Sequence, residues 1–372
     1  MIELETTPEQ ECFYLNMGPQ HPSTHGVLRI LLKLDGEYII YAEPILGYVH
    51  RMHEKMAEVK TYRQYLPNMG RLDYLAALSY NHAYVSAVER LTGIAPPLRA
   101  EFIRVITVEL NRIASHLVWL GAYVLDLGAF TPIMYAFDDR EQILDILQRV
   151  TGSRLTYCYF RFGGVAQDID DEFIAATRVF IKRLRSRFSI YEALVTKNPI
   201  FVYRSKGIGI ISSEMAMAYG ATGPVLRGSG IKFDVRRDEP YSIYSLFDFE
   251  IPTGSGCDAY DRYLVRVQEM EQSMRIIEQA IEQLPQGPIM LPDIPVEIRP
   301  PKGDCYFAVE SARGKLGIYL VSDGGPKPYR LKIRAPGFSN LSLFEELARG
   351  TLLADAVSIL GSLDLVIPEI DR

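Results

Sequence analysis

The sequence predicts a mainly helical α+β fold, a helical bundle with small antiparallel sheets at its N- and C-terminal ends. Three observations carry this prediction. Apolar residues recur at steps of three and four through the middle of the chain. Short runs of β-type sequence with hairpin-type turns lie near both ends. A proline-rich connector (Pro288, Pro292, Pro295, Pro300, Pro301) separates the helical region from the last strands.

The N-terminal region reads as strands over 12–16, 27–34 and 38–42, the last two joined by the turn pair Asp35-Gly36. Between the first two strands lies a loop at 18–26 that holds His21 and His25; its two prolines and two glycines exclude a helix. Residues 71–74 (Arg71-Leu72-Asp73-Tyr74) are expected to open a helix. A further helix starts after Pro96-Pro97, with Phe102, Ile106, Ile113, Leu117 and Leu120 on one face. Phe173, Thr177, Phe180, Leu184, Phe188 and Tyr191 mark another. Tyr263, Val267, Met270, Met274, Ile277, Ile281 and Leu284 mark a third, whose seam suits antiparallel helical neighbours. Strands at 305–310 and 315–321 form a hairpin, a third strand covers 329–333, and a last helix is expected over 342–360. The chain is thus read as a β-rich segment with the histidine loop (1–60), a helical bundle (61–290) and an α+β segment that packs back on the bundle (291–372).

Composition narrows function. A net charge of −6 argues against broad nucleic-acid binding, which needs a basic surface. The four cysteines are scattered and form no CxxC pair, so no zinc or iron–sulfur spacing exists in this chain. No run of about 18 apolar residues is present, so no transmembrane helix is expected and membrane contact must come through a partner. The acidic N-terminus has no apolar run and reads as no signal peptide.

Several side chains could carry chemistry. All six histidines lie within the first 116 residues. His21 and His25 are four apart, but Pro22 prevents the helical pairing of a zinc site. His50, His53, His82 and His116 read as structural histidines. Glu109, Asn111, Arg112, Ser115 and His116 place many polar groups on an otherwise apolar helix and read as a network between helices. Asp126 stands alone in the apolar stretch 124–129 and needs a cationic or hydrogen-bonding partner. Tyr74 can donate a hydrogen bond to a carbonyl at neutral pH, yet spacing alone does not separate it from the other tyrosines. The glycines at 207–209 and 228–230 fit neither a dinucleotide fingerprint nor a phosphate loop. The basic run Arg178, Lys182, Arg183, Arg185, Arg187 reads as a solvated helix face, with lipid headgroups or an acidic partner as the rival reading.

Ordered strings along the chain carry a resemblance. They are GPQHPSTHG at 18–26, GYVHRMHEK at 47–55, ELNRIASHLVWLG at 109–121 and FRFGGVAQD at 160–168. They continue with TGPVLRGSGIK at 222–232, DVRRDEPY at 234–241, SDGGPKPYRLKI at 322–333 and GSLDLVIPEIDR at 361–372. In this set the chain resembles the hydrogenase-like large subunit, of 49-kDa type, of NADH:quinone oxidoreductase, respiratory complex I. That family is similar to nickel–iron hydrogenase large subunits, whose two CxxC metal-binding pairs would fall at 73–76 and 366–369. No cysteine stands at either place here, and such soft metal centres need thiolate ligands. The resemblance therefore implies no hydrogen activation and no metal in this chain.

What the resemblance does imply is a quinone site in the vacated pocket. It places the quinone-contacting histidine at His25, the quinone-contacting tyrosine at Tyr74, and the carboxylate that pairs with the histidine at Asp126. Arg51 and Arg71 would lie close to an iron–sulfur cluster carried by an adjacent subunit. The substrate would be ubiquinone or menaquinone, and its reduction would be coupled to proton translocation by the complex. Partners would be the other peripheral-arm subunits, above all the one with the terminal cluster, and a membrane subunit at the quinone entrance. The location would be peripheral, on the cytoplasmic side of the inner (plasma) membrane. Two alternatives stand beside this reading: a related complex fed by reduced deazaflavin or ferredoxin, and a scaffold subunit without substrate contact. Three positions depart from the family pattern. Thr156 stands where many relatives carry a histidine near the cluster, Phe162 replaces a usual proline, and Met52-His53 replaces the usual glycine after His50-Arg51.

Overall fold

The computed structural model describes residues 12–19 and 26–372. The loop histidines His21 and His25 lie outside the described residues, as does the start of the chain. The described part is helical through its middle, with a three-stranded antiparallel sheet near each end and a two-stranded ladder between.

The first sheet has strands β1 (Cys12–Met17), β2 (Arg29–Asp35) and β3 (Tyr38–Ile45). Asp35 pairs with Tyr38 across a tight turn in which Gly36 has φ +57°, a left-handed conformation that glycine adopts without steric cost. Alternate residues Ile30, Leu32 and Leu34 are buried, so one face of the sheet is apolar. That face packs on Leu343, Phe344, Leu347, Ile359, Leu360 and Leu363 near the other end of the chain. Backbone bonds reinforce the closure: Ile39 N–H donates to Thr351 O at 2.9 Å and Gly350 N–H to Ile39 O at 2.7 Å.

The helix Leu98–Asp126 is the axis of the molecule. It begins directly after Pro97, where a missing N–H costs nothing. Most of its residues are buried on every side, as befits a central helix rather than an amphipathic surface one. The helices Ala77–Thr92, Thr131–Thr151, Ala259–Glu282 and Leu353–Leu363 pack around it. The short strands β4 (Phe160–Arg161) and β5 (Gly164–Val165) lie against it. The last sheet, β6 (Gly303–Ser311), β7 (Gly314–Ser322) and β8 (Arg330–Arg334), joins the same core through Val309, Leu316, Ile318, Leu320, Leu331 and Ile333.

The polar residues of the central helix link elements, as their number on an apolar helix suggests. Arg112 donates to the carbonyls of Ser311 at 2.8 Å and Glu310 at 2.6 Å. His116 Nε2 lies 3.1 Å from Glu269 on the helix Ala259–Glu282. Asn111 accepts from Leu78 N–H at 3.1 Å and donates to Leu75 O at 2.9 Å. The basic helix face also has partners within the chain: Arg183 and Arg187 pair with Asp138, and Arg185 with Glu271 and Glu278.

Two expected helices differ. Residues 71–76 form turns, and the helix starts only at Ala77. The Asp73 carboxylate accepts from Leu75 N–H and Ala76 N–H, both at 3.1 Å, and this local bonding competes with helix formation. The helix expected over 342–360 is broken into Phe344–Ala348 and Leu353–Leu363, and a separate short helix, Pro336–Leu341, precedes it. Gly350, at φ +75°, interrupts the helical path before the second piece.

Replacing Asn111 by alanine should strip the turn of its pin. Leu78 N–H would be buried without a partner and the half-buried Leu75 C=O would lose its own, at about 1–3 kcal/mol. The amide of Leu78 should then exchange roughly 10- to 100-fold faster with deuterium. Unchanged protection would contradict the role given to Asn111.

Candidate functional site

The turn that Asn111 holds opens onto a cavity of about 620 Å³. Its lining comes from several regions: Val49, Arg51, His53 and Met56 from the stretch after the first sheet; Asn68 from the helix Tyr62–Met69; Arg71 and Tyr74 from the turn; Leu155, Thr156 and Pro368 from later segments. The volume is in the range of small-molecule sites. The wall is apolar in part, with Arg51 and Arg71 exposed beside a half-buried Tyr74. Burial raises the Tyr74 pKa above its ordinary value, the charge of Arg313 opposes this, and Asp73 and Asp364 add to it. The hydroxyl therefore stays protonated at neutral pH and is a donor. His53 is buried, and burial, followed by the charges of Arg51, His50 and Lys60, lowers its pKa to about 4. It is neutral at pH 7. Its Nδ1 has no hydrogen-bond partner among the described residues. Met52, just before it, is at φ +53°, a conformation that favours glycine and costs a longer side chain about 1–2 kcal/mol.

Behind the cavity wall lies a buried charge cluster. Arg313, in the turn between β6 and β7, is fully buried. One terminal nitrogen donates to Asp73 at 2.7 Å and the other to Asp364 at 3.3 Å. The first also meets Ser115 Oγ at 3.2 Å. Glu369 completes the group, bonded to the Tyr80 hydroxyl and to Gly337 N–H. Burial raises the pKa values of both Asp73 and Glu369, while Arg313 pulls each back. Asp73 and Glu369 are the first and last residues of the two four-residue stretches at 73–76 and 366–369, which the fold brings to one place.

A second cavity, of about 570 Å³, is lined by Leu15, Met17, Gly18, Glu37, Leu352, Leu353 and Val357 with two neighbours. Its wall is almost wholly apolar and offers no set of converging donors. The cavity at Tyr74 has those donors and is the better candidate for chemistry.

Comparison with known proteins identifies the family. The profile of the respiratory-chain NADH dehydrogenase 49 Kd subunit matches residues 126–299 and 293–372. A protein of Desulfotalea psychrophila, by name the D-type subunit of an NADH-quinone oxidoreductase, is 62% identical over 97% of both chains. A protein of the same name from Syntrophobacter fumaroxidans is 62% identical over 98% of this chain and 97% of its own. Another, from Clostridium beijerinckii, is 52% identical over the full length of both. The chain belongs to the 49 Kd subunit family. It is thus a subunit of an NADH-quinone oxidoreductase, and its catalysis is that of the assembly. No helix among the described residues is long and apolar enough to cross a membrane. Among the same residues, no group of three or more His, Cys, Asp or Glu side chains is placed to hold a metal ion.

The structure brings three of the sequence-derived site residues together: Tyr74, Arg51 and Arg71 line one cavity. Thr156 lines it too. Asp126 does not line it. It ends the central helix, and about 22 Å of helix at 1.5 Å per residue separates it from Asn111, which pins the Tyr74 turn. His25 lies outside the described residues, but its neighbour Gly26 is placed: a Cβ there would sit 3.4 Å from Ile367 Cγ1, next to the cavity residue Pro368. Sequence reasoning missed His53 as a cavity residue and Arg313, Tyr80 and Glu369 as a cluster. Only the GYVHRMHEK string, with His53 in place of a usual residue, held a signal for the first.

Arg313→Met should be severely destabilising, because Asp73 loses its guanidinium partner and Asp364 its nearer one. Removing one partner of a buried ion pair costs about 3–5 kcal/mol. The thermal midpoint of the subunit within its complex should fall. An unchanged midpoint would contradict the bridging role.

Proposed function

We propose that this chain houses the quinone headgroup site of a complex I-type NADH:quinone oxidoreductase, with the headgroup in the cavity at Tyr74. The observation that carries the reading is the convergence of a protonated tyrosine hydroxyl, two guanidinium groups and a neutral imidazole on one cavity of small-molecule size. The names of the relatives, which are subunits of NADH-quinone oxidoreductases, support it and favour NADH over deazaflavin or ferredoxin as the source of electrons.

Two-electron reduction of a quinone builds negative charge on its carbonyl oxygens. Donors placed in advance on those oxygens stabilise that charge without reorganisation. Tyr74 donates to one carbonyl and His25 to the other. Asp126 holds the His25 imidazole in its cationic or correctly oriented form. Arg51 and Arg71 are exposed at the cavity mouth. There they face the partner subunit whose iron–sulfur cluster delivers the electrons, and their positive charge favours its reduced form. The substrate is ubiquinone or menaquinone, which reaches the cavity past a membrane subunit. The chain sits peripherally on the cytoplasmic side of the inner (plasma) membrane, and the complex couples the reduction to proton translocation.

Tyr74→Phe removes one hydroxyl and leaves the packing. It should preserve assembly while lowering the quinone reduction rate by about a hundredfold, the usual loss for one such donor. Full quinone turnover in that variant would sink the assignment. Asp126→Asn removes the anion that favours a protonated imidazole, so the His25 pKa should fall. The pH–rate profile of quinone reduction should move to lower pH, and a profile that stays in place would count against the pairing.

A further inference from the structure

One buried acid has no role in the quinone reading. Glu369 is fully buried and directly follows Pro368, a cavity residue. Its Oε1 accepts from Gly337 N–H at 2.9 Å, and its Oε2 meets the hydroxyl of Tyr80, which is also fully buried. A side chain at Gly337 would collide with Oε1, so this approach needs glycine.

The charges around Glu369 do not balance. Asp73, Asp364 and Glu369 supply three carboxyl groups. Arg313 spends its terminal nitrogens on Asp73 and Asp364 at 2.7 and 3.3 Å. Arg266, the other cation, lies 3.8 Å from Asp364. Among the described residues no cation forms an ion pair with Glu369. The helix Ala77–Thr92 contributes Tyr80, the turn before it Asp73, and the β6–β7 turn Arg313. Asp364 follows the helix Leu353–Leu363, and the helix Pro336–Leu341 contributes the Gly337 N–H. A buried charge without a counter-charge is expensive, and a carboxyl in that position stays neutral instead.

We propose that Glu369 and Tyr80 form a proton-holding site behind the cavity, with the like charge of Asp73 setting its affinity. Burial, followed by that like charge, pushes the Glu369 pKa well above the ordinary carboxylate range. Arg313 and two backbone N–H donors favour the Asp73 carboxylate against the burial that raises its pKa. When Glu369 releases its proton, the carboxylate keeps Tyr80 O–H and Gly337 N–H as donors. In the quinone reading, on which this step alone rests, each reduced headgroup takes up two electrons and two protons, and Glu369 supplies one of the protons. The electrons come from the partner's cluster.

The test is an infrared titration of the protonated-carboxyl band in the assembled complex, with quinone removed. One carboxyl should titrate well above the usual range and vanish in Glu369→Gln. Asp73→Asn removes the like charge and frees Arg313, so the midpoint should drop by about one pH unit or more. Tyr80→Phe removes a donor to the carboxylate, so the midpoint should rise. These opposite shifts separate a proton site from a merely structural contact, and they stand if the Glu369 variant does not assemble. A band unchanged in Glu369→Gln, or midpoints that stay fixed in the other two variants, would overturn the proposal. Normal quinone turnover in Tyr74→Phe beside a titrating Glu369 would remove the quinone reading and leave the proton site in place.

Discussion

The site depends on one buried guanidinium. Arg313 joins three parts of the chain that are distant in sequence: the turn at 71–76, the hairpin between β6 and β7, and the segment after the helix Leu353–Leu363. It also touches Ser115 on the central helix. Its planar fork can hold two carboxylates at once, which a lysine ammonium would do with less geometric control. Burying this charge is costly in isolation, so the arginine is stable there only with its acids in place. The same bonds fix the backbone of Asp73, and with it the direction in which Tyr74 leaves the turn.

Around that anchor the fold divides its work. The central helix supplies a rigid axis with polar groups spaced to reach neighbouring elements. The N-terminal sheet and the C-terminal helices share one apolar core, so Met17, Leu28, Ile367 and Ile370 are held by the same packing. The cavity lies where these units meet the turn. Met52, in a left-handed conformation that favours glycine, precedes the buried cavity residue His53, and Thr156 lines the same cavity. Phe162 is buried against Tyr84 at a ring separation of 6.2 Å and serves packing.

Much of the architecture was legible in the residues. Periodicity found the central helix, its start after Pro97 and the helix Ala259–Glu282, because each has a continuous apolar face. The Asp35-Gly36 turn and the last hairpin followed from turn chemistry. Two errors share a cause, the neglect of local bonding and of backbone breaks. Asp73 delays a helix by capturing two amides, and Gly350 interrupts another. For the site, residue chemistry alone could not choose Tyr74 among so many tyrosines. The family resemblance suggested it, and the fold brings Arg51 and Arg71 to the same cavity. The Arg313 cluster was invisible because its members are scattered from position 73 to position 369 and no local pattern ties them. Burial and charge balance, which exist only in three dimensions, reveal it.

The central claim is that the cavity beside Tyr74 receives the quinone headgroup. The most direct measurement is a structure of the assembled complex with a short-chain quinone analogue bound. The account predicts a headgroup carbonyl within hydrogen-bond distance of the Tyr74 hydroxyl, with Arg51 and Arg71 on the side facing the partner subunit. A headgroup seated elsewhere, with the Tyr74 cavity filled by protein or closed to the membrane, would contradict it.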